Sequence, residues 1–135
     1  MTLDTADRIT AGIVLLTILA IEYGGTILLR GGTGTFRTND LQKSYFRAGH
    51  AHAGVLVILG LVVLVLTSVP GVPFWADILS SAVLWAAILM PAGFFLSVIG
   101  RDPTRPNRLV ALIWLGAGVL AVGVASAGVG LLLAG

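Results

Sequence analysis

The sequence predicts an all-α fold: a polytopic membrane protein built as a bundle of four transmembrane helices. The chain has 135 residues, of which 57% are hydrophobic and 10% are charged, whereas soluble domains carry about 25% charged residues. No Asp, Glu, Lys or Arg occurs in residues 48–76, 78–100 or 109–135. A helix needs about 20 apolar residues to cross a bilayer core of about 30 Å, so each stretch predicts one span. The mean hydropathy of +1.02 agrees with this class of protein.

The first span is predicted at residues 8–30 and contains one interior charge, Glu22. A cleaved signal peptide is the competing interpretation of this N-terminus. Such a peptide begins with a positively charged segment, whereas Asp4 and Asp7 here outnumber Arg8. We therefore expect a retained helix.

The other spans are predicted at residues 47–68, 75–99 and 107–132. Asn39 stands three residues before Gln42, a spacing at which the two side chains can cap the start of a helix. The second helix should therefore begin near Asp40, before its membrane-spanning part.

Prolines mark the boundaries and one interior position. Residues 70–73 read Pro-Gly-Val-Pro, which predicts a tight turn between the second and third spans. Pro106 suits the first turn of the fourth helix. Pro91 lies inside the third span, where it predicts a kink near Met90.

The basic residues predict how the bundle is oriented. Seven of the eight flank the two loops at 31–46 and 100–106, and Arg8 alone lies at the other end; the seven are Arg30, Arg37, Lys43, Arg47, Arg101, Arg105 and Arg108. Because Lys and Arg concentrate in cytoplasmic loops, these loops should be cytoplasmic and both termini extracytoplasmic, in the plasma membrane. The pI of 9.7 therefore reflects membrane topology and does not indicate a nucleic-acid partner.

Two faces of the fourth helix carry small residues, which let membrane helices approach closely. The first face is formed by Ala117, Ala121 and Ala125, the second by Gly116, Gly123 and Ala127. A single bundle can use only part of this surface. We therefore expect a homo-oligomer that packs through the first face within the lipid bilayer.

Glu22 is the acidic residue deep within a span, and an ionisable group at membrane depth is a functional candidate. Thr26 and Arg30 follow it on the same helical face, while Tyr23 is adjacent and points about 100° away. Glu22 lies about 12 Å from Arg30 along the axis, at about 1.5 Å per residue. A structural ion pair between Glu22 and Arg30 or Arg47 is the alternative interpretation.

The second span opens with the two histidines of the protein, His50 and His52, and Arg47 shares a face with His50. Counting residues from the shared loop places the histidines at the depth of Glu22. On a helix, positions i and i+2 differ by about 200° and do not chelate one ion without local unwinding. One histidine should therefore face Glu22 and the other a neighbouring helix, a cofactor or a second subunit. The alternative interpretation gives each ring only a structural role at the helix end.

The run from Arg47 to Ala53 resembles two groups of proteins. His50, His52 and the following Leu59-Gly60 are similar to small, uncharacterised bacterial four-helix integral membrane proteins with a His-x-His in the second helix. About eight residues also resemble the haem-ligand helix of haem-copper oxidase and nitric oxide reductase main subunits. That second resemblance implies His50 as a haem ligand.

The acidic and histidine side chains at one membrane depth favour transport or conduction of a proton-linked small solute or ion. Its proton relay or binding residues would be drawn from Glu22, Tyr23, Thr26, Arg47, His50 and His52. Histidine changes its charge near neutral pH and can exchange a proton with a carboxylate.

Two alternatives stay open. A redox protein would bind haem b or a divalent metal through His50 or His52, with Met90 as a second haem ligand and Arg47 and Arg101 near the propionates. The protein could also be an accessory subunit of a larger membrane complex. An enzyme is less expected, because no serine is matched with a base in the sequence.

Overall fold

The structure is a computed structural model that describes residues 3–32 and 37–135; residues 33–36 of the first predicted loop lie outside the described residues. The described chain is all-helical, as predicted, and contains no strand. Its helices are α1 (Thr5–Gly32), α2 (Asp40–Thr67), α3 (Phe74–Ser80), α4 (Ala82–Ser97) and α5 (Ala111–Leu133), with a 3₁₀ turn at Arg108–Val110 before α5.

Four helical segments of the described chain are long and apolar enough to cross a membrane. They are Thr5–Arg30, Asp40–Thr67, Phe74–Ser97 and Arg108–Leu133. The sequence therefore located all four spans, with differences of a few residues at most ends and an earlier start for α2. Large apolar side chains cover the outside of the bundle, as a lipid-facing surface requires; Leu132, for example, is 84% exposed.

The capping pair predicted before α2 is confirmed. The Asn39 side chain accepts a hydrogen bond from the backbone N–H of Gln42, and the Gln42 side chain accepts one from the backbone N–H of Asn39. This reciprocal arrangement satisfies two donors that a helix start otherwise leaves open. Helix α2 consequently begins at Asp40, seven residues before the predicted start of its span.

The third span is not the single helix predicted at 75–99, because it is interrupted at Ser81 between α3 and α4. The Ser80 and Ser81 hydroxyls donate to the carbonyls of Asp77 and Ile78, at 2.6 and 2.7 Å. The backbone N–H of Leu84 donates to the Ser81 carbonyl three residues before it. Serine hydroxyls that bond nearby carbonyls compete with regular helix bonds, and the span tightens locally. At Pro91, in contrast, α4 continues without interruption, so the predicted kink there stays a prediction.

Helix α5 packs along α3 and α4 through glycines spaced seven residues apart. A Cβ added to Gly116, Gly123 or Gly130 would lie within 2.9 Å of Met90, Val83 and Ala76, respectively. A side chain at any of these three positions would therefore require α5 and its neighbours to shift apart. The face of α5 with Gly116 and Gly123 is thus used inside the bundle, while Ala121 and Ala125 are exposed.

Contacts at the two ends fix the arrangement of the spans. At one end, the Ser68 hydroxyl donates to the Asp7 carboxylate at 2.9 Å, and a Cβ on Gly71 would lie 3.0 Å from the Ala134 carbonyl oxygen. Both chain ends and the turn after α2 therefore lie together. At the other end, the Gln42 amide bonds the loop between α4 and α5. Among the described helices, α1 has close backbone contacts with α2 alone.

Candidate functional site

His50 projects from α2 against α1 at Gly25. A Cβ built on Gly25 would lie 3.1 Å from both Cε1 and Nε2 of the imidazole, so the glycine leaves the space that the ring occupies. The same number of residues separates Asp7 from Gly25 on α1 and His50 from Ser68 on α2. The hydrogen bond from Ser68 to Asp7 and the His50–Gly25 contact therefore belong to one antiparallel register of the two helices.

Glu22 lies one helical turn from this contact, about 4.5 Å along α1 from Gly25 at about 1.5 Å per residue. The carboxylate is exposed on the flank of the bundle, and no described residue forms an ion pair or hydrogen bond with it. The structure thus brings Glu22 and His50 to neighbouring positions without joining them directly. An ion pair from Glu22 to Arg47 is not formed in the described chain.

Tyr23 and Thr26 lie on the exposed side of α1 with Glu22. Tyr23 is 65% exposed, and the Thr26 hydroxyl donates to the Tyr23 carbonyl at 2.7 Å. The hydroxyl proton of Thr26 is therefore used within its own helix. Arg47 is also exposed, one turn before His50 on α2.

A cleft of about 450 Å³ separates α1 from α2 and α4 next to His50. Its walls are mostly apolar and include Ile13 and Ile21 of α1, Val57 of α2, and Leu84 and Phe95 of α4. His50 is the titratable residue in this lining. Nothing in the sequence predicts the cleft, because its width depends on how far α1 stands from α4.

His52 faces a different neighbour. Its Nδ1 lies 2.7 Å from the Ala48 carbonyl oxygen, and its ring centroid lies 4.9 Å from that of Phe94 on α4. Because a carbonyl only accepts, Nδ1 carries the proton in this contact. The two histidines point towards different helices, as the helical spacing predicts.

Met90 is directed to a third helix, since it is buried and its side chain packs against Gly116 of α5. The three side chains considered as haem or metal ligands, His50, His52 and Met90, thus contact α1, α4 and α5, respectively. The described residues also contain no group of three His, Cys, Asp or Glu side chains arranged to hold a metal ion. Within the described chain, these candidate donor atoms therefore do not converge on one point.

A second cavity, of about 260 Å³, lies towards the end of the bundle that holds both termini. Asp7, Thr10 and Asp77 contribute polar groups to its wall, together with Thr67 and Ser80. The Ser80 hydroxyl lies 3.4 Å from that of Thr67. Leu84 lines both this cavity and the cleft beside His50, so the two follow α1 in succession. The sequence does not predict this group, because its members come from three separate helices.

The opposite end of the bundle is closed by a polar clamp, which we define as Asn39, Gln42 and the loop residues they bond. The Gln42 amide donates to the carbonyls of Val98 and Gly100, both at 3.1 Å. The Asn39 amide donates to the Asp102 carboxylate at 2.8 Å. The three-residue spacing of Asn39 and Gln42 predicted that these side chains cap α2. It did not predict their bonds to the loop.

We find no family model, curated protein or solved structure that matches this chain.

Proposed function

We propose that this protein moves a proton-linked small solute or ion across the membrane, with His50 and Glu22 as the groups that exchange the proton. The observation that carries the proposal is the contact of the His50 imidazole with Gly25, one helical turn from Glu22. An imidazole and a carboxylate at neighbouring positions within one span region are a suitable pair for proton exchange.

The environment of each group supports this role. The His50 ring has no hydrogen bond to any described residue and borders the cleft, so its nitrogen atoms can meet a solute or water. The carboxylate of Glu22 is exposed within a span, where an isolated charge costs several kcal/mol. Such a cost is more consistent with a functional side chain than with one that only stabilises the fold.

We propose that the solute and the proton move along α1 through the two cavities. The polar cavity with Asp7 and Asp77 lies at one end, and the cleft that reaches His50 begins on the other side of Leu84. Because α1 has close backbone contacts with α2 alone, a small displacement of α1 would join the two spaces. We propose that this movement connects His50 to the end that holds the termini.

The orientation proposed for the bundle follows the basic residues. Seven of the eight Lys and Arg side chains belong to the end with the polar clamp. By the positive-inside rule this end faces the cytoplasm, and the termini with the Asp7 cavity face outward. The plasma membrane of a bacterial cell is the proposed location.

Four spans are few for a complete pathway, and we propose that a second copy of the chain contributes to it. Ala121 and Ala125 remain exposed on α5 after Gly116 and Gly123 are used inside the bundle. Small exposed residues suit close packing between membrane helices. We place the contact between copies on the face of α5 formed by Ala117, Ala121 and Ala125.

Proton uptake by proteoliposomes tests the proposal. The purified protein is placed in liposomes that contain a pH-sensitive dye, a potassium diffusion potential is imposed, and the initial rate of internal acidification is recorded. We expect Glu22→Gln and His50→Gln to lower the rate to that of protein-free liposomes. Each substitution keeps the size of the side chain, or nearly so, while removing its proton exchange.

Lys43→Gln provides the control, because it removes a charge from an exposed side chain at the same end of the bundle. Its rate should equal that of the wild type. The proposal is contradicted if the wild type acidifies the liposomes no faster than protein-free vesicles, or if Glu22→Gln leaves the rate unchanged.

A further inference from the structure

We infer that the cleft between α1, α2 and α4 is a binding site for an apolar carboxylic acid that enters from the bilayer. The inference rests on the proposed function, because it names the class of solute that His50 would meet. It follows from the shape of the cleft, the polar atoms in its wall and the bonds that the His50 imidazole can make.

The cleft has the size and lining of a site for a small apolar molecule. Its volume of about 450 Å³ falls within the range of roughly 300–1,000 Å³ that is typical of ligand pockets. Small residues widen it on each side, namely Gly24 of α1, Ala53 of α2 and Ala87 of α4. A hydrated ion would find almost no polar atoms along these walls, whereas a hydrocarbon chain would bury its surface there.

The polar end of the cleft consists of one side chain. Thr17 also lines the cleft, but its hydroxyl donates to the Val14 carbonyl at 2.6 Å. His50 forms no hydrogen bond with a described residue, so its imidazole is left to bond the ligand. We therefore assign a ligand with one polar group at the His50 end and an apolar remainder directed towards Ile13.

The imidazole of His50 favours a carboxyl group over a neutral or cationic one. Arg47 lies one turn from His50 on α2, towards the end where the basic residues collect. A neutral carboxylic acid can donate to a ring nitrogen of imidazole, and a carboxylate can accept from imidazolium, which is the stronger, charge-assisted bond. Neither Arg47 nor the acidic Glu22 of α1 belongs to the lining of the cleft, so the choice of a carboxyl group rests on the bond that the imidazole can make. The lining that α4 contributes carries no charge.

Photolabelling in lipid nanodiscs tests the inference with a fatty acid that carries a diazirine in its chain. After irradiation, mass spectrometry locates the labelled residues and gives the labelled fraction at each probe concentration. We expect labels on residues 13–24 and 53–57, and competition by dodecanoic acid but not by dodecane. His50→Phe should raise the half-saturating probe concentration about tenfold or more, since a hydrogen bond to a charged group is lost.

Two leucine substitutions should fill the cleft from opposite walls, and a third serves as their control. Gly24→Leu and Ala87→Leu are expected to abolish labelling. Gly12→Leu adds the same side chain to an exposed position of α1 with open space around it, and labelling should persist. Because the cleft is filled from two helices, a folding defect in one variant still leaves the other to decide the result.

The inference is overturned if both filled variants are labelled like the wild type, or if dodecane competes as well as dodecanoic acid. Neither result depends on transport. Labelling that follows the expected pattern without proton uptake would uphold the binding site and contradict the proposed function. Proton uptake without such labelling would do the reverse.

Discussion

Gln42 illustrates how much a single side chain contributes at the clamped end of the bundle. It is 6% exposed, its Oε1 accepts from the backbone of Asn39, and its amide donates to two carbonyls of the loop after α4. One side chain therefore starts α2 and holds the α4–α5 loop. The backbone of Asp102 adopts a φ of 51° in that loop, and its carboxylate accepts a hydrogen bond from Asn39.

Replacing Gln42 by leucine should destabilise the protein markedly. The substitution removes three side-chain hydrogen bonds and leaves the carbonyl of buried Val98 without this donor, so we expect a loss of about 2–4 kcal/mol in the free energy of unfolding. Titration with SDS in mixed micelles, followed by circular dichroism, measures that quantity. Lys43→Ala is the matched control, because it removes only an exposed pair with Asp40 and should change stability by less than about 0.5 kcal/mol. Equal stability of the two variants would show that the clamp is unimportant.

At the scale of helices, glycines determine which faces are joined. Gly123 meets Val83 so closely that an added Cβ would lie 2.8 Å from its backbone nitrogen, whereas Gly118 on the same helix has open space around it. The two positions have the same residue and the same secondary structure. They differ only in packing, which makes them a matched pair.

Alanine at these two glycines should have opposite effects. Gly118→Ala should preserve or raise stability, since alanine favours a helix by up to about 1 kcal/mol over glycine. Gly123→Ala should lower it by about 1–3 kcal/mol, because α4 must move away from α5. The same SDS titration compares them. If Gly123→Ala proved as stable as Gly118→Ala, the close contact of α4 and α5 would not exist.

For the whole molecule, the sequence predicted the number, order and approximate limits of the spans. Stretches without charged residues are sufficient to locate the spans, because a bilayer tolerates few ionised side chains and sets a minimum helix length. The capping spacing of Asn39 and Gln42 also located the start of α2. The interruption at Ser81 could not be predicted, since it depends on local serine bonds that many uninterrupted helices also contain.

The sequence predicts the depth of Glu22 and His50 in the membrane, but it does not predict how α1 is rotated about its axis. Counting residues from the shared loop put Glu22 and His50 in one band, and the structure places His50 level with Gly25. Which side of α1 faces α2 is decided by packing between helices, and it leaves Glu22 on the exposed flank. The cleft beside His50 likewise arises from the distance between α1 and α4, which sequence periodicity does not contain.

The proposed function depends most directly on the contact between His50 and Gly25, and Gly25→Leu tests this contact without removing either protonatable group. A leucine there would occupy the space of the imidazole, whose atoms lie 3.1 Å from the Cβ position. In the proteoliposome assay, we predict that Gly25→Leu acidifies as slowly as Glu22→Gln, whereas the exposed control Gly12→Leu keeps the wild-type rate. A Gly25→Leu protein that takes up protons as fast as the wild type would contradict the account.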